Sequence, residues 1–145
     1  MSALPDGSPS QPRMRTLFER EHLRARLGWY APGQTMTRHA HARHQVSFLL
    51  GGTLGESARG GEVRLANPGV GVKAAGVTHA NDYGPAGALI FCIELDASSS
   101  LPIDVGTPAA WRWRTSPSDA QLQRVRGVLR DLFAARDDDA DTEAR

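Results

Sequence analysis

The side chains in this sequence best suited to chemistry are histidines, and they are clustered. His39, His41 and His44 fall in the run RHAHARHQVSF, and His79 lies in the separate segment Gly76-Val77-Thr78-His79-Ala80-Asn81. In an unbroken strand alternate residues share a face. His39, His41 and Gln45 then point one way together with Ser47 and Leu49, while His44 points with Val46, Phe48 and Leu50. A strand with coordinating groups on one face and apolar groups on the other fits a barrel whose interior is a functional pocket. His79 supplies a third imidazole from another strand, with Asn81 on its face. Three neutral imidazoles and one carbonyl oxygen make a reasonable set for a divalent transition metal, with positions left for water or ligand. The metal set is therefore His39, His41, Gln45 and His79, and the ion one of Zn, Fe, Mn, Ni or Cu. The same residues equally suit an organic ligand held without a metal. Ser47, Asn81 and Trp29 are the candidate ligand contacts, with Tyr30, Trp111 and Trp113 as further stacking surfaces or ordinary packing aromatics. His22 reads as a surface histidine.

The elements that must position these groups are short strands. Leu23, Ala25, Leu27 and Trp29 recur at the period of a half-buried strand. Pro32-Gly33 marks a turn, Thr35 to Leu50 reads as strand, and the pairs Gly51-Gly52, Gly60-Gly61 and Pro68-Gly69 punctuate the segments that follow, up to Ala88–Asp96. Such spacing predicts an all-β sandwich or barrel. A helix follows, with Ser116 as cap and Pro117 at its first position. Its stripe of Leu122, Val125, Leu129 and Leu132, widened by Val128 and Phe133, either packs on the barrel or forms a homodimer seam. The chain divides into a flexible arm (1–14), a barrel (15–115), a C-terminal helix (116–136) and an acidic disordered tail (137–145).

Composition narrows the function. A chain of 145 residues predicts one domain. Its 17 Lys and Arg against 16 Asp and Glu leave a formal charge of +1, which gives no footprint for nucleic acid. No apolar run is long enough to span a bilayer and no signal segment is evident, so the expectation is a soluble, cytoplasmic protein without a membrane partner. The single cysteine, Cys92, sits in an apolar run and reads as a small buried hydrophobe without a catalytic role.

With those residues in place the pattern resembles the cupin superfamily. Gly33, His39, His41, Gln45 and Gly52 keep every interval of the first cupin motif, with Gln45 where the motif has an acid. The segment Ala74-Ala75-Gly76-Val77-Thr78-His79 is similar to the second, with Ala74 in place of proline and Tyr83 where an asparagine is usual. The resemblance implies a single cupin (double-stranded β-helix, or jelly-roll) barrel with a C-terminal helix. Within the superfamily, HAHARHQVSFLLGGTLGE and AAGVTHANDYGPAG resemble the N-terminal effector-binding domains of AraC-type transcription regulators. That likeness implies a small-molecule effector, dimerisation through the following helix and a role in transcription regulation. The helix-turn-helix units of that family have no counterpart here, so no direct nucleic-acid binding is expected of this chain. It reads either as a regulator fragment or as a free-standing cupin. The competing class is a metal-dependent cupin enzyme, a dioxygenase or isomerase, against which stands Gln45: an amide cannot abstract a proton.

Overall fold

The computed structural model describes residues 12–98, 111–115 and 119–143. Eight strands precede one helix: β1 (Arg13–Arg20), β2 (Leu23–Tyr30), β3 (Thr35–His39), β4 (His44–Ala58), β5 (Gly61–Ala66), β6 (Gly69–Lys73), β7 (His79–Leu95), β8 (Trp111–Thr115) and α1 (Asp119–Glu143). All pairings are antiparallel. The hydrogen-bonded order is β1-β2-β7-β4-β6-β8, with β3 added on β7 and β5 on β4.

Two strands hold this arrangement together. β4 has 15 residues and β7 has 17, lengths that fully extended span roughly 50 Å, far more than a domain of this size accommodates in a straight line. Both therefore bend and serve two walls. The first half of β4 (Gln45 to Leu49) pairs with β6 and with the end of β7, and its second half (Thr53 to Ala58) pairs with β5 and with the start of β7. The register shifts between Leu49 and Gly51 and again between Gly52 and Leu54 mark the bend. Gly52 sits there at φ +79°, and a Cβ on it would overlap the Gly87 carbonyl oxygen.

The interior between the walls packs Leu49, Leu54, Leu65, Tyr83, Ala88 and Ile90. A second cluster lies outside the barrel, where Leu17, Ala25 and Phe91 meet Val125 of α1, with Leu129, Leu132 and Phe133 packed beside it. Of the stripe that sequence left open between barrel and partner, Val125, Leu129, Leu132 and Phe133 pack on their own barrel, whereas Val128 is exposed. This arrangement explains the unbroken apolar run in β7. Ile90 and Cys92 face the pocket while Phe91 and Ile93 face the helix side, so both surfaces are buried.

Three sequence expectations shift. β1 begins at Arg13, within the stretch assigned to an arm; it escapes notice because Leu17 is its one fully buried residue. The strand expected from Thr35 to Leu50 is interrupted between His39 and His44. The helix runs on to Glu143, beyond the expected end at residue 136; no glycine or proline interrupts it there. The Ser116-Pro117 cap lies outside the described residues. No helix among those residues is long and apolar enough to cross a membrane.

The bend yields a paired test. Gly33 has φ +74° with open space around its Cβ position, whereas Gly52 combines a similar φ with a backbone clash. Gly33→Ala is expected to cost about 1 kcal/mol from the left-handed backbone alone, and Gly52→Ala about 3 kcal/mol or more. Urea unfolding of the two variants measures the difference, and equal losses would remove the close approach at Gly87 as a constraint.

Candidate metal centre and pocket

Between the two walls lies a cavity of about 190 Å³. His39 is placed on its rim by β3, which pairs it directly with His79 at the start of β7. His41 comes from the loop between β3 and β4, and a hydrogen bond from the Gly76 amide to the His41 carbonyl (2.9 Å) ties that loop to the segment before His79. The three imidazoles converge. Their ring centroids lie 4.3 to 5.1 Å apart, and one potential ligand atom from each lies within 4.8 Å of the others.

Hydrogen bonding fixes which nitrogen two of the three rings offer. Carbonyl oxygens only accept, so Nδ1–H of His39 donates to Thr37 O (2.7 Å) and Nδ1–H of His79 donates to Val77 O (2.9 Å). Nε2 is then the atom each ring has for the pocket. This is the outer-shell arrangement that orients metal-ligating imidazoles. Nε2 of His39 approaches Nε2 of His41 to 3.1 Å, which matches the roughly 2.8 to 3.4 Å between nitrogens that share one ion at 2.0–2.1 Å. Burial first, and then the positive potential of His79, His39 and Lys73, lowers the His41 pKa to about 4. Burial and Lys73 likewise lower that of His79. Both are therefore neutral ligands at neutral pH. These observations fit a divalent transition metal held by His39, His41 and His79.

Gln45 is buried in the same cavity, and its amide nitrogen donates at 3.5 Å to Glu94, leaving its oxygen as the atom with ligand capacity. Ser47 and Asn81 also line the cavity. Trp29 does not. Its strand turns the apolar side, Ala25 and Leu27, toward the helix and the polar side, Arg26, toward the pocket. Trp29 is 39% exposed on the outer side, and Tyr30, stacked on Tyr83 at 4.1 Å, is the aromatic that β2 contributes. His44 points away from the pocket, as expected, and pins the loops: it accepts from the Ala75 amide and donates to Ala97 O. His22 is exposed and faces Asp96. Cys92 is a buried free thiol on the pocket wall, its pKa raised by burial.

Five charged side chains in and around the pocket were not read from the sequence: Glu56, Lys73, Glu94, Arg24 and Arg26. Glu56 is almost fully buried and accepts hydrogen bonds from Lys73 Nζ (2.8 Å), Asn81 Nδ2 (2.6 Å), Trp111 Nε1 (2.6 Å) and Trp113 Nε1 (2.9 Å). Opposite it, Glu94 accepts from Arg24 Nε and from a terminal nitrogen of Arg26, both at 2.6 Å. Burial raises the pKa of each carboxyl, but the cations and donors outweigh it, so Glu56 falls to about 2 and Glu94 is lowered. Neither carboxylate is poised to take a proton at neutral pH. One signal for Glu56 was present: the Gly51-Gly52 pair at which register shifts exchange the two faces of β4.

No family model and no curated protein matches the chain. Solved structures do. A cupin superfamily protein from Desulfitobacterium hafniense aligns with a TM-score of 0.55 at 16% identity, covering 63% of this chain and 83% of its own. An RmlC-like cupin from Shewanella frigidimarina aligns at 0.55 and 22%, covering 60% and 78%. KdgF from Halomonas sp. aligns at 0.52 and 19%, covering 60% and 81%. At these identities the likeness defines the fold alone, a single cupin barrel, to which this chain adds the helix α1.

The Glu56 hub predicts an acid-sensitive fold. Its folded pKa of about 2 lies below the ordinary 4.5, so its contribution is complete above pH 4.5 and is lost as pH falls toward 2. The size is on the order of 3 kcal/mol. Glu56→Gln is expected to be less stable at pH 7 and to lose much of the decline between pH 4.5 and 2. Urea unfolding across that range measures both, and an unchanged acid limb would refute the assignment.

Proposed function

We propose that this chain is a metal-loaded, small-molecule-binding cupin, a sensing module of the AraC-type lineage rather than an acid–base catalyst. The observation that carries it is the convergence of three imidazoles whose Nδ1–H groups, in two of the three, are already committed to backbone carbonyls. Such a set presents lone pairs to one point and leaves coordination positions for a guest. Binding is favoured over proton transfer because Glu56 and Glu94, the nearby carboxylates, are already engaged by cationic and neutral donors. Sensing of this type is supported by the two sequence segments that resemble AraC-type effector domains and by a C-terminal helix packed on the barrel beside the strands that line the pocket. A dioxygenase or isomerase would draw on the same three ligands, with the metal as Lewis acid or redox centre.

Elemental analysis of protein purified without chelator tests the metal. Roughly one transition-metal ion per chain is expected, lost in the His39→Ala/His41→Ala double variant with the circular dichroism spectrum retained. Added zinc is expected to raise the thermal midpoint of the metal-free protein, by about 2.7 kcal/mol of stability at one hundred times its Kd. Sub-stoichiometric metal in both proteins would remove the reading.

A further inference from the structure

The hydrogen-bond donors around the cavity are largely taken by the protein itself. Lys73 Nζ, Asn81 Nδ2 and the Trp113 indole donate to Glu56, and a terminal nitrogen of Arg26 donates to Glu94. Gln45 completes the set. It is 7% exposed, lines the cavity, and places its amide nitrogen 3.5 Å from Glu94 Oε1. Glu94 forms ion pairs with Arg24 and Arg26, and a carboxylate attracts the N–H side of an amide and repels its carbonyl side. The carbonyl oxygen of Gln45 is left over. Among the described residues it accepts no hydrogen bond. Nor is it sealed: the unpartnered side-chain atoms without accessible surface are Arg26 Nε, one terminal nitrogen of Arg43 and Thr53 Oγ1. A buried glutamine with an open carbonyl oxygen on a cavity wall is an acceptor without its donor.

Size and charge narrow the guest. An apolar cavity of about 150 Å³ holds benzene, so one of about 190 Å³ takes a single ring with a small polar group. Tyr30, Met36 and Ile90 give that ring an apolar wall. A cation finds both carboxylates occupied, and an anion meets the Gln45 carbonyl oxygen. We propose that the guest is an uncharged phenol or alcohol of single-ring size that donates its O–H to Gln45 Oε1. The inference rests on the small-molecule function proposed above and names its ligand class, but it does not require the metal. Gln45 then acts as a specificity residue for the guest.

Proton–nitrogen-15 NMR of the whole chain, metal-free and zinc-loaded, reads this at the side chain concerned. The Gln45 side-chain amide resonances are assigned through the backbone, so the reading does not depend on a variant. Phenol and benzyl alcohol are titrated against toluene and ethylbenzene, in which methyl replaces hydroxyl, and against benzoate. At least one hydroxyl compound is expected to shift both the Gln45 amide and the Trp113 indole and to saturate, while its hydrocarbon shifts the indole alone. On metal-free protein benzoate is expected to bind at least about fivefold more weakly than that compound. In Gln45→Met, which has only a weak acceptor, the preference for hydroxyl over methyl is expected to fall about fivefold or more, the loss of one neutral hydrogen bond. A Gln45 amide unmoved by both hydroxyl compounds, equal movement by the hydrocarbons, tighter binding of benzoate to metal-free protein, or a preference unchanged in Gln45→Met would overturn the proposal. An indole that answers benzoate or the hydrocarbons but not the hydroxyl compounds removes the ligand class and leaves the small-molecule function. An indole silent to all five, with zinc or without, removes both.

Discussion

The bend shared by β4 and β7 is the constraint on which this molecule depends. Each strand contributes to both walls, so the geometry at Gly52 and Gly87 decides how far apart those walls stand and which side chains face each other. Gln45 and Ser47 precede the bend and Glu56 follows it; all three line one cavity because the chain folds over at residues small enough to let two backbones meet. A barrel built this way has an interior set by two continuous strands rather than by many independent ones, which gives its pocket groups fixed relative positions.

Within that frame the polar interior is stabilised by pairing, not by exposure. Buried carboxylates are tolerated because each is matched by cations and indole or amide donors, and the imidazoles because burial keeps them neutral. The pocket is divided as a result. One end offers imidazole nitrogens, and the rest of the wall carries Arg26 and Lys73, each paired with a carboxylate.

Much of the fold was legible in the sequence, because hairpin glycines and alternating strands carry local signals. The histidines were legible too, though the route differed: His39 and His41 do not share one strand, and they meet because β3 pairs with His79 while a backbone bond holds the loop bearing His41. What escaped was set by tertiary context. In β2 the apolar face is covered by the helix, which puts Arg26 rather than Trp29 on the pocket. In β4 two register shifts reverse the alternation, so parity counted from His39 misassigns everything after Gly51, Glu56 included. Helix cover and bulges both depend on residues far away in the chain, and no window of sequence contains them.

Lys73 is the single lysine among the 17 cationic residues of the sequence, and it is buried at 7% exposure with its ammonium on Glu56. The surface cations of the barrel are guanidinium groups, which leaves the molecule with one side-chain amine and that amine inside. Acylating reagents aimed at lysine thus have one side-chain target, and it lines the cavity. The rate of that one modification reports on the accessibility of the pocket interior, a probe written into the composition of the chain.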